Sequence, residues 1–248
     1  MLFNMNEYFS LERAADSAAL GKYSAGHMLW LFSAVLVCLF LSRLYAGAGE
    51  RGRRRLRLLV SLSAGAVSCL RTGLLILNGD YSLSRLPLHL CSMAVYICIY
   101  HGLSLSRKAG QFLFAFCLPG AVCALLFPDW SSLPGLHYIS ITSFLLHILP
   151  AAYVLMLTAG GDLVPEPSSL PGCCACLALA ALPIYAFNKL TGLNFMFLNY
   201  PPPGTPLMLF AFLGNPGYLL GYLPMAGLVW ALMYGIPKKA CPDKKSAD

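Results

Sequence analysis

The chain has 248 residues, 58% of them hydrophobic and only 11% charged, against roughly 25% charged in soluble domains, and its mean hydropathy is +0.68. That excludes a soluble globular domain and leaves room for about seven membrane spans with short loops, with no separate soluble unit. The net charge of +7 does not indicate nucleic acid, because the basic residues cluster at span ends and no loop interleaves basic with aromatic residues.

In chain order, residues 5–20 read as a short amphipathic helix lying on the membrane surface, with Tyr8, Phe9 and Leu11 on one side. Residues 1–23 lack the pattern of a cleaved signal peptide, so the first span is expected to be retained. Spans are predicted at 25–46, 57–78, 86–104, 110–126, 136–159, 171–189 and 216–235, each near the 20 apolar residues a crossing needs, the fourth being the shortest. The fold class is thus all-α, a polytopic membrane bundle in one domain, 1–248. Residues 190–215 are too long for an ordinary connection, and they are aromatic and uncharged. They read as a re-entrant or surface lid before the last span.

Lys and Arg set an orientation. Twelve of the 17 (Arg43, Arg51, Arg53, Arg54, Arg55, Arg57, Arg107, Lys108 and the four lysines of the C-terminal tail) fall on one side. Arg13, Lys22, Arg85 and Lys189 fall on the other. The excess predicts an N-terminus outside and a C-terminus in the cytoplasm, and the arginine run also suits anionic lipid headgroups.

Ionisable groups within spans are costly and point to function. Cys91 lies at the mouth of the third span and His147 about half-way along the fifth. A Cys and a His on different helices form the minimal pair for thiol-based nucleophilic catalysis. Arg71 is predicted at similar depth, where its charge suits a phosphate or a developing oxyanion, or a structural pairing with carbonyls. His89, two residues from Cys91, points about 200° away on a helix, so it is expected to orient a backbone group or the lid. Asn194 and Asn199 offer amide donors near the same level, with Asn199 read as a cap. The run Gly172-Cys173-Cys174-Ala175-Cys176 suits a metal or acylation site only weakly. The other span cysteines read as small packing residues.

The segments Leu86-Pro87-Leu88-His89-Leu90-Cys91 and Leu126-Phe127-Pro128-Asp129, then His147, then Asn194-Phe195-Met196-Phe197-Leu198, resemble the YwaF family of bacterial integral membrane proteins over residues 57–237. That family looks related to an animal membrane acyltransferase that remodels ether phospholipids. The resemblance implies a Cys nucleophile at Cys91, a His partner at His147 and a bacterial cell membrane. Phe195 stands where that family has Tyr.

The expected function is acyl transfer or ester hydrolysis on a phospholipid or lysophospholipid, with Cys91 and His147 catalytic, Arg71, His89 and Asn194 binding substrate, and no cofactor or metal required. Membrane lipids are the expected partners, and oligomeric state is not encoded legibly. Two alternatives stand beside it: a transporter or lipid-binding protein using Arg71, His89 and His147 as polar groups of a path, and a metal site made by His89, Cys91 and His147.

Overall fold

The computed structural model describes residues 18–235, and the predicted surface helix at 5–20 lies mostly outside them. The described residues are helical and contain no strand. Six helical stretches are long and apolar enough to cross a membrane, and a seventh is apolar but shorter, so the protein is an integral, multi-pass membrane protein.

α1 runs from Ala25 to Ala46 and starts where the Ser24 hydroxyl accepts the His27 N–H at 3.2 Å, relieving one of the unbonded donors of the first turn. α2, Glu50–Leu77, follows α1 after three intervening residues. Its first turns are the arginine run that the sequence suggested was a loop. Arginine is a good helix former, and 28 residues span about 42 Å at 1.5 Å per residue. The charged turns therefore project beyond the roughly 30 Å hydrocarbon layer.

α3 is Leu90–Ser104, 15 residues, and not the whole of 86–104. Pro87 disfavours helical backbone at the residue before it, and Leu86 is extended (φ −57°, ψ 144°). α4, Arg107–Phe112, passes through a π-helical turn at Leu113–Cys117 into α5, Leu118–Leu126. A π turn widens the ring of backbone bonds and shifts a carbonyl out of the ordinary ladder. Ala115 O in that turn accepts the indole N–H of Trp230 at 2.9 Å. α6 is Tyr138–Ala159, α7 is Leu170–Thr191, and α8 is Tyr222–Gly235. Between α7 and α8 lie a 3₁₀ turn at Phe195–Phe197 and a 3₁₀ run at Pro206–Leu213. The latter, with the short turns after it and α8, makes up the last of the six apolar stretches, Pro206–Gly235, which begins ten residues before the expected 216. Of the segment expected as a lid, only the part before Pro206 lies outside that stretch.

α6 is the axis of the bundle and packs on α1, α2, α3 and α5. Fifteen of its 22 residues are buried. Ser140, Ser143, Ala151 and Ala152 are among them, and such small side chains let helices approach closely within lipid.

The arginine-rich end is tied by one carboxylate. Asp162, just past α6, pairs with Arg53 at 2.8 Å and Arg57 at 3.0 Å and accepts the Tyr45 hydroxyl. Arg53 also donates to Ala46 O, Ala48 O and Gly160 O, so one cation serves the carbonyl ends of α1 and α6. Gly160 is required there: a Cβ would sit 2.6 Å from the Tyr45 ring. At the other end, His27 Nε2 donates to Leu125 O at 2.8 Å while its Nδ1 accepts the Tyr23 N–H at 2.9 Å, fastening α1 to α5.

Candidate functional site

Because α3 starts late, Cys91 is its second residue and sits in the first turn, not a turn and a half inward as counting from residue 86 implied. The preceding residues 86–89 form bends, with the Leu88 N–H bonded to Leu86 O at 2.8 Å. The N–H groups of a helix's first turn have no intrahelical acceptor and carry a partial positive charge. Cys91 is therefore set where negative charge is favoured.

His147 lies nine residues into α6, roughly 14 Å along its axis, and is buried. The Cys91 thiol and the His147 imidazole lie close enough to act on each other electrostatically. His147 Nδ1 is 2.6 Å from Ser143 O. A carbonyl only accepts, so Nδ1 carries the proton and Nε2 is the basic nitrogen left for the thiol. Trp130 holds the ring from one side, nearly parallel at 5.1 Å between centroids, and Phe144 braces Trp130 edge-on at 5.2 Å. Trp30 in turn stacks on Phe144 at 4.6 Å. The imidazole is thus fixed in plane and in tautomer by groups from α1, α6 and the loop after α5.

Arg71 faces α6 and donates from Nη1 to Ser143 Oγ at 3.0 Å. Ser143 accordingly joins Arg71 and His147, one through its hydroxyl and the other through its carbonyl. Asp129, exposed in the loop after α5, lies within electrostatic reach of Arg71, His89, Cys91 and His147. His89 turns away from the thiol toward the lid: Nδ1 accepts the Met196 N–H at 3.3 Å, and the ring packs on Phe195 and Phe197 at 5.2 and 5.4 Å. With His89 so engaged, it does not join Cys91 and His147 as a third ligand, and no group of three metal-binding side chains converges among the described residues.

The lid is held by asparagines. Asn188, fully buried on α7, donates to Phe195 O at 2.8 Å and accepts Phe195 N–H at 2.9 Å. Asn194 accepts the N–H groups of Asn199 and Tyr200 and donates to Tyr200 O at 2.9 Å, so much of its amide is used inside the lid. Asn199 donates to Asn188 O and Leu193 O, capping the end of α7. Asn215 donates to Leu198 O and Asn199 O and accepts from Tyr185 and Lys189. Beneath the lid is a cavity of about 280 Å³ bordered by His89, Asp129, Asn194, Phe197 and Tyr200.

Sequence reasoning paired Cys91 with His147 and put Arg71 beside them. It overlooked Ser143, although the position four before a helical histidine supplies a carbonyl within reach of its ring. It also overlooked Asn188, an amide in an apolar span, and Asp129, quoted above within a motif but given no role.

A family model described as the TMEM164 family matches residues 22–234, and the chain belongs to that family. No curated protein and no solved structure matches it. This corrects the resemblance to the YwaF family and removes the bacterial cell membrane that rested on it. Short runs of Leu, Pro, His and Phe recur wherever an apolar helix begins or ends, so motifs built mainly of them discriminate poorly between membrane families.

Proposed function

We propose that the protein transfers an acyl group to or from a membrane phospholipid, or hydrolyses its ester, through Cys91 and His147. The observation that carries this reading is the juxtaposition of Cys91 with His147, an imidazole whose Nδ1 is committed to Ser143 O and whose Nε2 is left free to act as a base. A packing cysteine needs no oriented base; a nucleophile does.

The thiol proton passes from Sγ to His147 Nε2. The thiolate, formed at the start of α3, attacks the ester carbonyl carbon, and the carbonyl electron pair moves to oxygen. That oxyanion forms next to the first-turn N–H groups of α3 and the Arg71 guanidinium, both of which stabilise developing negative charge. Collapse breaks the ester C–O bond. The leaving alkoxide takes the proton from Nε2, giving a lysolipid alcohol and an acyl thioester on Cys91. A second lysolipid hydroxyl, or water, gives its proton to Nε2 and attacks the thioester. The thiolate leaves and recovers the proton. Asp129 offsets the positive charge that Arg71 and the transient imidazolium share. The Lys/Arg distribution supports an orientation with the lid outside and the arginine-rich end in the cytoplasm.

The test uses protein in phosphatidylcholine nanodiscs with an isotope-labelled acyl donor and a lysophospholipid acceptor. Wild type should yield labelled phospholipid or free fatty acid and a hydroxylamine-sensitive acyl adduct on Cys91. Cys91→Ala should yield neither, and His147→Gln should slow turnover by about 10²–10⁴-fold, the usual worth of a general base. An adduct-free wild type, or turnover that survives Cys91→Ala, sinks the mechanism. Lipid movement across the bilayer that survives Cys91→Ser would favour transport.

A further inference from the structure

The arginine-rich start of α2 sorts its cations by helix face. Arg53 and Arg57 turn toward the bundle, where both reach the Asp162 carboxylate. Arg51, Arg54 and Arg55 stand at i, i+3 and i+4, which is one face, and all three are exposed. None of them meets a carboxylate among the described residues, whose ion pairs are those of Asp162 with Arg53 and Arg57 and of Glu166 with Arg107. Glu50, the acid of the first turn, is exposed and pairs with none of them.

These three cations lack compensation from the helix as well. They stand in and just after its first turn, and the N-cap, Gly49, supplies no side-chain acceptor. The unbonded N–H groups of that turn already carry partial positive charge, which disfavours cations at this end. Below them the same face continues as bare hydrocarbon. Leu59 and Leu62, at i+8 and i+11 from Arg51, are 61% and 52% exposed, and Ile76, on that face near the other end, is 59% exposed. Arg43, exposed in the last turn of α1, adds charge at the same level, because only three residues join α1 to α2.

We propose that Arg51, Arg54 and Arg55 hold the phosphate of an anionic phospholipid whose tails lie along the Leu59 and Leu62 face of α2. A ligand for this surface carries negative charge at headgroup height and hydrocarbon directly below it, within one molecule. A bilayer phospholipid of net negative charge has that layout, whereas a soluble phosphate ester has the charge without the tails. The planar guanidinium fork donates two hydrogen bonds to one phosphate and is weakly hydrated, so arginine suits the task. Membrane orientation depends on how many cations lie on a side. Their alignment with a lipid-facing stripe is a separate property, and it selects which lipid adjoins α2. Arg71 lies 16 residues beyond Arg55 on α2, roughly 24 Å along the axis. The headgroup site is thus remote from Cys91 and His147, and it stands independently of the acyl-transfer reading.

The experiment places p-benzoylphenylalanine at Leu59, one turn from Arg55 on the same face, or at Leu77, exposed at the far end of α2. The protein is held in phosphatidylcholine nanodiscs containing a minor fraction of phosphatidylglycerol, and mass spectrometry counts the two lipids in the photo-adducts. An arginine beside an anionic headgroup is worth about fivefold in lipid partition, or about 1 kcal/mol. The phosphatidylglycerol share at Leu59 should therefore exceed that at Leu77 by about fivefold or more. Arg51→Gln, Arg54→Gln and Arg55→Gln together should bring the ratio to unity. Arg54→Gln alone, which leaves the other cations in place, should lower it by up to about fivefold. Lys108→Gln, at an exposed cation of α4, should leave it unchanged, as should glycerol phosphate in the buffer. A ratio of unity in the wild type, or an unchanged ratio in the triple variant, overturns the proposal. An equal fall in Lys108→Gln would assign the enrichment to surface charge at large, and displacement by glycerol phosphate would assign the site to a soluble ester; either result overturns it too.

Discussion

Replacing Asn188 with leucine removes both hydrogen bonds that fix Phe195 to α7, at nearly constant volume. The Phe195 N–H and C=O are then left buried without those partners, and each orphaned group costs about 1–3 kcal/mol in a protein interior. Interhelical polar bonds in membranes are weaker, averaging about 0.6 kcal/mol, so two of them set a floor of about 1.2 kcal/mol. A working value near 2 kcal/mol corresponds to a roughly 30-fold shift in the equilibrium between docked and undocked lid. Amide hydrogen exchange by mass spectrometry measures that equilibrium directly. Peptides covering 193–200 should lose about 30-fold in protection in Asn188→Leu, and those from α6 should not change. Leu190→Ala, on the exposed face of the same helix, is the comparison and should change neither. Unaltered protection at 193–200 in the leucine variant would refute the view that Asn188 anchors the lid. A uniform loss throughout the bundle would equally show that Asn188 acts on global stability.

Asp162→Ala removes the acceptor of Arg53, Arg57 and Tyr45 at once; because the carboxylate is partly exposed, the expected loss is about 1–3 kcal/mol, read as a lowered thermal midpoint with Cys91 alkylation by N-ethylmaleimide unaffected. For topology, an impermeant thiol reagent on intact cells should reach Tyr200→Cys and miss Glu50→Cys, each in a background without other reactive cysteines; the reverse pattern would invert the orientation. Tyr200 is preferable to its neighbour Gly204, whose φ of +70° strains any side chain.

The helical bundle was legible because hydrophobic runs of membrane length have few other structural solutions. Its ends were not. The arginines at 51–57 read as a loop because charge was equated with connection, although a helix can carry its charged turns beyond the lipid. Residues 86–89 read as helix because leucine outweighed Pro87 in the count. The pairing of Cys91 with His147 was legible from residue type and depth, but the reason for their meeting was not: it depends on α3 starting deep. The roles of Asn188, Asn194 and Asn215 depend on where a chain reversal places backbone groups, and no periodicity encodes that. Asn194 reads from the sequence as a donor for substrate; it borders the cavity and its amide also holds the lid backbone.

The π-helical turn at Leu113–Cys117 makes the bundle sensitive to length as well as to identity. It accommodates, within one continuous span, a backbone register that an ordinary helix cannot keep. Deleting one residue there would restore regular winding and rotate everything downstream by about 100° relative to everything upstream. Leu125 O would swing away from His27, Trp130 would lose its seat against His147, and Ala115 O would no longer meet Trp230, all without any of those residues being changed. A pair of compensating changes, one residue lost in the turn and one gained in the loop after α5, could return Trp130 to His147 but not Leu125 to His27, so the first turn of α1 would record an error made four helices away.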